Sequence, residues 1–595
     1  MRNSTMMWIS RMKIGFCPSM IQTLSLLPKS FNSKLYSSYL GKFQTPQGYE
    51  TGITIYNSSA NKKVPLILKN KDILTWYICG PTVYAESHIG HACCYVKFDI
   101  LRRIMENVFG INVLLLMGIT DIDDKIIRKS IESNLSTSEI SRMYESDFFK
   151  DMAAMRVIPP SSVSRVTDNI VHIIAFIEKL IEKDFAYVTE KGNVYFKVAK
   201  GVSADILNEI SEVNETNIDP SKKDKRDFVL WKVAKENEPY WTSPWCNGRP
   251  GWHIECSVLA SKIFGSHLDL HSGGYDLLFP HHSNEKSQSE AYHSCSQWGN
   301  YWLHAGLLQV GNDIKMSKSI QNTISIKEFL RENSVNDFRI FCLQSPYRKN
   351  MLYCSETLAR AKDMHCKFHN FINELELFSN GQLVSPLIDE DRLLLKLKST
   401  KERVISLLAD DFNTSQVLLC LTDLIDVVNE NLQSTIDTIP FKDSVTVISA
   451  CANYIDKTLE TLGIKIICKK KMNRDFVYAM DAVTEFRQMI RLFALCKIKT
   501  DNSPAKFIQD SFNSFMQRMS LIDGTEELPE NTLLIKQAVS VWYKKSLELS
   551  TAQNFDTKKE RAKLLVLCDE LRFSLEQCGI SLKDRKNVAT WSLKL

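Results

Sequence analysis

The stretch from Lys71 to Gly118 limits the fold more than any other part of the chain. Ile73 to Ile78 is an apolar, β-prone run that ends on Cys79-Gly80-Pro81, a turn signal. From His91 onward, Val96, Ile100, Ile104 and Val108 recur every four residues, with Leu101 and Met105 beside them. That spacing predicts a helix with one buried face. Asn112 to Met117 is a second apolar run of strand length. Strand, helix and strand in so short a span predict a parallel pair joined by a right-handed crossover. This is the building unit of a doubly wound parallel sheet, so the expected class is α/β.

The rest of the chain is organised differently. A length of 595 residues calls for several domains. Ser130 to Arg226 reads as largely helical, broken at Pro159-Pro160, with a short strand near Val194 to Phe196. Ser211 to Asp227 is polar and reads as a connecting loop, and Trp231 to Trp302 is rich in glycine and tryptophan. Beyond Ser325 the pattern is helical almost to the end. The sixteen cysteines form no CxxC pair, which suits a reducing compartment and small buried thiols rather than a disulfide framework. No apolar run reaches the length needed to span a bilayer, so no membrane partner is expected.

The first 49 residues stand apart. They hold no Asp or Glu, while Arg2, Arg11, Lys13, Lys29, Lys34 and Lys42 supply six cations among frequent serines. Acid-poor, basic and Ser-bearing N-termini read as mitochondrial targeting peptides, which places the mature protein in the matrix. Without those cations the formal charge of +5 falls to −1, so any nucleic-acid surface must be a local patch.

Two short strings carry the chemistry of phosphate. His88-Ile89-Gly90-His91 opens the predicted helix, where a glycine lets a nucleotide approach and the helix start favours anions. Two histidines there can donate to oxygens as charge builds. Lys315-Met316-Ser317-Lys318-Ser319 follows more than two hundred residues later, a loop with two cations. Either string alone could be an incidental helix start or a solvated basic loop. Together, in this order, they resemble the class I aminoacyl-tRNA synthetases. The resemblance implies a Rossmann-like catalytic domain. It also implies ATP contacts from His88, Gly90, His91, Lys315, Ser317 and Lys318, with Mg2+ accompanying the nucleotide. His88, His91, Lys315 and Lys318 are the expected catalytic group.

Four further residues suggest a metal. Cys79 ends the first strand, Cys256 lies in "GRPGWHIECS", and His281 and Glu285 lie in "FPHHSNEKSQ". Residues four apart share one helix face, so His281 and Glu285 can grip one ion. Two thiolates, an imidazole and a carboxylate make a reasonable zinc set, although each residue singly reads equally well as core or surface. The strings "CGPTVY", "HIGH", "TDIDDKI", "DFVLWK", "GRPGWHIECS", "DLLFPHHSNE" and "KMSKS" occur in the order found in cysteinyl-tRNA synthetases, from about Leu74 to Asn322. That resemblance implies one zinc held by Cys79, Cys256, His281 and Glu285, with the substrate thiolate joining the metal. It also implies a cysteine pocket of Gly80, Thr120, Trp252 and Asp276, and leaves the part of His253 open. Metal ligation answers a physical problem, because ordinary contacts separate near-isosteres such as cysteine and serine only about a hundredfold. A soft thiolate bonds zinc far more readily than a hydroxyl does.

The resemblance sets the remaining expectations. The substrates are L-cysteine, ATP and cysteine tRNA, and the chain is expected to work as a monomer in mitochondrial translation. The expected divisions are a leader over 1–49, a catalytic domain over 50–325 with a helical insertion at about 130–230, and a helical connection over 326–400. A tRNA-binding helical bundle over 401–545, opening on "DDFNTSQ", and a small anticodon-region segment over 546–595 complete the chain. Lys469, Lys470, Lys471 and Arg474 form a cationic cluster suited either to phosphate contacts or to a solvated face. Two departures from the family pattern are Ala92-Cys93-Cys94 after the first signature and Gln321 where a glycine is usual. A pyridoxal phosphate-dependent cysteine persulfide activity is associated with the family. Lys125 resembles part of its motif, with Arg128 in place of a second lysine. Two other readings stand beside the tRNA ligase: a cysteine ligase for a small acceptor, which the long helical extension disfavours, and a non-catalytic RNA-binding relative, which the intact signatures disfavour.

Overall fold

The computed structural model describes residues 43–198, 220–310, 314–315, 323–379, 388–433, 445–466, 474–498, 503–520, 531–551, 558–585 and 588–593. Residues 1–42 of the expected leader, Ser317, Lys318, Gln321 and the Lys469–Lys471 cluster lie outside these. The antiparallel strands β1 (Tyr49–Asn57) and β2 (Lys62–Leu68) come first. They are followed by β3 (Ile73–Thr82), α1 (Ile89–Asn107) and β4 (Asn112–Thr120), the strand, helix and strand predicted from the apolar spacing. After α2 (Asp124–Ser133) and α3 (Thr137–Ala154) come β5 (Ser162–Arg165) and α4 (Ile170–Glu182). Five short strands follow: β6 (Ala186–Val188), β7 (Val194–Phe196), β8 (Phe228–Val233), β9 (Trp241–Thr242) and β10 (Asn247–Pro250). Then come α5 (Trp252–Phe264), β11 (Leu268–Gly274), α6 (Ser283–His293) and β12 (Gly299–Ala305).

The chain divides into two compact units. One holds the described residues up to Glu86 together with Ile111–Phe149 and Pro159–Ala305; the other holds Ser87–Gly110, Lys150–Ile158 and the described residues from Gly306 on. In the first unit five parallel strands run in the order β12-β11-β3-β4-β5. From β3 the chain winds outward to β4 and β5, then returns to the other side of β3 to add β11 and β12. The order of strands therefore reverses between β3 and β11. Parallel strands buried on both faces need near-continuous apolar sequence, and β3, β4 and β12 supply it. A carboxylate clips the two strands at the reversal: Asp269 on β11 accepts from the Thr75 backbone N–H at 3.0 Å and from its hydroxyl at 2.7 Å.

A second sheet, antiparallel in the order β6-β7-β8-β10-β9, belongs to the same unit. Within Ser130 to Arg226, read as largely helical with a strand near Val194 to Phe196, this sheet contains that strand and adds Ala186–Val188. Ala186-Tyr187-Val188 and Val194-Tyr195-Phe196 are too short for stable helices and rich in β-branched and aromatic residues, which pack well on a pleated surface. The core they join includes Trp231, Trp298 and Trp302, three of the chain's most buried aromatic groups. The tryptophan-rich stretch is thus mainly core.

In the second unit, β13 (Leu308–Val310), β14 (Ile314–Lys315) and β15 (Met351–Tyr353) form a small sheet beside α7 (Ile326–Glu332), α8 (Val335–Leu343) and α9 (Ser355–Ser379). Helices α10 (Glu390–Ala409), α11 (Thr414–Gln433) and α12 (Val445–Thr461) follow. Then come α13 (Arg474–Ala494), α14 (Pro504–Ser520), α15 (Asn531–Ser550) and α16 (Lys558–Gln577). A hairpin of β16 (Ile580–Arg585) and β17 (Val588–Leu593) ends the described chain, beyond the helices. Buried Arg487 on α13 anchors it, donating to Asp584 at 2.6 and 3.0 Å and to the Cys568 carbonyl at 2.8 Å.

A second buried guanidinium ties α1 to its surroundings. Arg339 on α8 reaches Asp99 on α1 at 2.5 Å and also donates to the Leu462 and Met155 carbonyls. Gly463 lies against it with φ of +78°, where a side chain would both strain the backbone and strike the guanidinium. Removing one partner of a buried pair leaves the other charged and uncompensated. Asp99→Ala is expected to destabilise the folded chain by about 3–5 kcal/mol, read as an earlier urea unfolding midpoint.

Candidate functional site

In open α/β sheets the crevice beyond the carboxyl ends of the strands, where the strand order reverses, is the natural place for a ligand. That place in the first unit lies between β3 and β11, and Cys79 occupies the end of β3. Side chains on one face of a strand recur every second residue, so Tyr77 and Cys79 share a face. The register sets His271 of β11 beside Tyr77, and Gly118 of β4 beside Cys79. Cys256 comes from the second turn of α5. His281 lies in the short turn before α6, and Glu285 in the first turn of that helix. The four residues proposed from the sequence are therefore brought together, all buried, with one ligand atom from each within 4.8 Å of the others.

The distances test whether zinc fits. Two sulfurs each about 2.3 Å from a tetrahedral zinc stand about 3.8 Å apart, and Cys79 Sγ and Cys256 Sγ are separated by 3.7 Å. Cys79 Sγ lies 3.7 Å from His281 Nε2 and 3.5 Å from Glu285 Oε1, close to the edges of the same tetrahedron. His281 Nε2 and Glu285 Oε1 are closer, at 2.8 Å, as a hydrogen bond requires. The donor set and spacing fit zinc. A second set, Cys79, His271, His282 and Glu285, overlaps it. There His282 Nδ1 is bonded to His304 Nε2 at 2.8 Å, and His271 Nε2 holds the other carboxylate oxygen, Glu285 Oε2, at 2.9 Å. These histidines are better suited to orient ligands than to replace a thiolate.

The electrostatics agree with a cation site. The Cys79 thiol donates to Cys256, which lowers Cys256 to about 6 against the effect of burial; burial and that same neighbour push Cys79 up. Burial opposes charge on His281, but Glu285 and Cys256 raise it to about 10. Burial likewise opposes the Glu285 carboxylate, which His271 and His281 hold well below the usual range. The proton on His281 thus balances charge that a divalent ion would balance instead. His253 Nδ1 faces His281 Nδ1 at 3.0 Å. Burial, then the charge of His281, lowers His253 to about 3, so it is the neutral acceptor of the pair. This supplies the role that the sequence left open. His304 passes the chain of bonds on to the Ser58 hydroxyl at 2.8 Å. Sequence reasoning missed His271, His282 and His304; the doubled His281-His282 and the alternation of β11 were the only signals for them.

The expected pocket residues are dispersed around this centre. Gly80 follows Cys79 on β3, and Thr120 ends β4, buried, with its hydroxyl 3.2 Å from Glu255 Oε2. Trp252 stacks on His281 with ring centroids 4.3 Å apart while 41% of its surface stays exposed. An indole so exposed lies over the cluster and is not part of the core. Asp276 sits exposed in the turn after β11.

The phosphate signature lies in the second unit. His88 caps α1: its Nδ1 accepts from the Gly90 N–H at 3.1 Å, while His91 Nδ1 accepts from the His88 N–H at 3.3 Å. The two rings stack at 3.9 Å. The first helical amides are not open to an anion, as the sequence had suggested. The Ile89 N–H donates to the Ile324 carbonyl at 3.0 Å, and the His91 N–H to the His88 carbonyl at 2.9 Å. His88 also bridges to Ser325, and the Ile326 N–H donates to the Ser87 carbonyl at 3.3 Å. The segment just past the second signature is therefore bonded to the first. Lys315 is on β14, paired with Gln309; Ser317 and Lys318 lie outside the described residues.

Comparison with known proteins agrees with this arrangement. The family described as "tRNA synthetases class I (C) catalytic domain" matches residues 66–363. A "Probable cysteine--tRNA ligase, mitochondrial" of Xenopus tropicalis is 40% identical over 565 residues, covering 94% of this chain and 92% of that one. A "Cysteine--tRNA ligase, cytoplasmic" of Dictyostelium discoideum is 37% identical over 489 residues, covering 76% and 74%. Among solved structures, Mycobacterium tuberculosis methionyl-tRNA synthetase with methionyl-adenylate aligns with a TM-score of 0.50 at 13% identity, covering 69% of this chain and 94% of that one. At that identity the likeness is one of fold. With a relative 40% identical along nearly the whole chain, and the class I catalytic fold in place, this protein belongs to the cysteine–tRNA ligase family.

Proposed function

We propose that the protein activates L-cysteine with ATP and transfers it to cysteine tRNA for translation in the mitochondrial matrix. The observation that carries the reading of the site is the 3.7 Å pair of Cys79 and Cys256 sulfurs, closed by His281 and Glu285 at the reversal of the sheet. Bound there by Cys79, Cys256, His281 and Glu285, zinc would supply a borderline-soft Lewis acid whose preference for sulfur over a hydroxyl would separate cysteine from serine.

The chain's own groups do the rest. Trp252, stacked on His281, closes over the small side chain and keeps water from it. Asp276 pairs with the substrate ammonium, and Gly80 and Thr120 line the wall. His88 and His91 exchange their mutual bonds for phosphate oxygens, and Lys315 and Lys318 add charge as the substrate carboxylate attacks the α-phosphate and pyrophosphate leaves. Mg2+ accompanies ATP. Residues 50–325 serve activation, and the helical residues 401–545 with the segment 546–595 hold the tRNA. A pyridoxal phosphate-dependent side activity would draw on Lys125, whose ammonium lies 5.4 Å over the Tyr84 ring.

Charging of mitochondrial tRNA by the leader-free protein, with ATP and labelled amino acid, tests the function. Cysteine and not serine is expected in acid-precipitable form. Cysteinyl adenylate without charged tRNA would transfer the chain to small acceptors, and RNA binding with neither product would make it non-catalytic. His91→Ala is expected to lower cysteine-dependent pyrophosphate exchange by about 10²–10³, with cysteine binding retained. Metal analysis tests the centre: one zinc per chain is expected, lost in Cys256→Ser. A variant that keeps stoichiometric zinc and normal selectivity removes Cys256 from the set. Because the thiols and His281 must lose protons to bind a metal, uptake should release protons and weaken as pH falls from 7.5 to 5.5. A pH-independent affinity contradicts this ligand set.

A further inference from the structure

Tyr77 has a hydroxyl that the site as described does not use. The residue is fully buried in β3, and its Oη meets no hydrogen-bond partner among the described residues. A buried unpaired hydroxyl carries a desolvation penalty that phenylalanine would avoid. The surroundings are nevertheless shaped to receive it. A methyl group at Gly118 would collide with the hydroxyl, so glycine on β4 leaves the slot open, and Leu259 of α5 closes the far side. The ring lies 5.1 Å from His271, which keeps it on the metal-facing side of the sheet. Leu259 follows Cys256 by three residues on α5, so the two share a helix face and Cys256 lies on the side of the hydroxyl.

We propose that Tyr77 is a positioning residue of the metal centre, donating its O–H to the Cys256 sulfur when that sulfur ligates a divalent ion. The inference rests on Cys256 being a ligand. The Cys256 sulfur accepts from the Cys79 thiol at 3.7 Å. Ligation takes the proton from Cys79 and removes that donor, so each sulfur becomes a thiolate with lone pairs left over. The phenol of Tyr77 is a neighbouring donor for the one on Cys256. Donors to a ligand atom fix its direction and set its electron density, and their loss costs about 10–100-fold in metal affinity.

The full chain is loaded with Co2+ in place of zinc, and wild type is compared with Tyr77→Phe. Loss of the donor makes the thiolate more electron-rich, so the sulfur-to-cobalt charge-transfer band should move to longer wavelength. Zinc should pass to a chromophoric chelator about tenfold faster. A purely packing role would lower the melting temperature and leave the band where it is. An unmoved band with an unchanged release rate in folded Tyr77→Phe overturns the proposal. If that variant does not fold, 3-fluorotyrosine placed at position 77, a stronger donor, should move the band to shorter wavelength. An unmoved band there overturns the proposal equally. Failure of the wild type to take up Co2+ or zinc refutes the metal centre itself and this inference with it, a result plainly distinct from two variants that bind alike.

Discussion

Glu285 is a carboxylate with no exposed surface, and the arrangement around it follows from that fact. An ionised group in such a place must be paired and fully hydrogen-bonded or it will protonate. Its two oxygens are divided between two imidazoles, His281 on Oε1 and His271 on Oε2. Those imidazoles are in turn placed by others: His253 receives Nδ1 of His281, and the ring of Trp302 stacks on His271 at 4.3 Å. Two thiols within 4 Å add a further negative charge on ionisation. A set of this composition holds more negative than positive charge as soon as both thiols ionise, and a divalent ion restores the balance with fewer protons. Burial holds His253, His282 and His304 below the usual histidine range. They orient the ligands without competing for the charge that holds the ion.

The parallel sheet makes so dense a cluster possible. Between β3 and β11 no crossover helix covers the strand ends, because the chain leaves in opposite directions on the two sides. Asp269, bonded to both backbone and hydroxyl of Thr75, fixes the two strands at that seam. Space is supplied by glycine at two positions with no unusual backbone. A side chain at Gly118 would strike Tyr77, and one at Gly273 would strike the His282 ring. Histidines and a tyrosine thus pack at the density of a core while keeping their polar atoms directed inward, which is what turns a sheet edge into a small, water-poor pocket.

The parts of this that were legible in the sequence are those set by short-range pattern. The apolar spacing of Val96, Ile100 and Ile104 predicts α1, and the runs at Ile73 and Asn112 predict the strands on either side. Cys79, Cys256, His281 and Glu285 were legible because their motifs are local strings, although more than two hundred residues separate the first from the last. His271 and His304 were not, because each is one polar residue in a buried strand and only the register sets it against Glu285 and His282. Of the sheet from Ala186 to Pro250 only the strand near Val194 to Phe196 was legible: its strands are two to six residues long, and the pairing that stabilises them is not local. The closing hairpin depends on Arg487, almost a hundred residues earlier in the chain.

The two phosphate signatures show how tertiary bonding changes what a motif can do. The start of a helix attracts anions through unpaired amides, but here the first amides of α1 are taken by Ile324 and by His88 itself. An anion at this helix start would have to be met by side chains, and the motif supplies two histidines. The bond from Ile89 to Ile324 has a second consequence. The described residues just past the second signature are fastened to the start of α1, and Lys315, at the near side of that signature, is paired with β13.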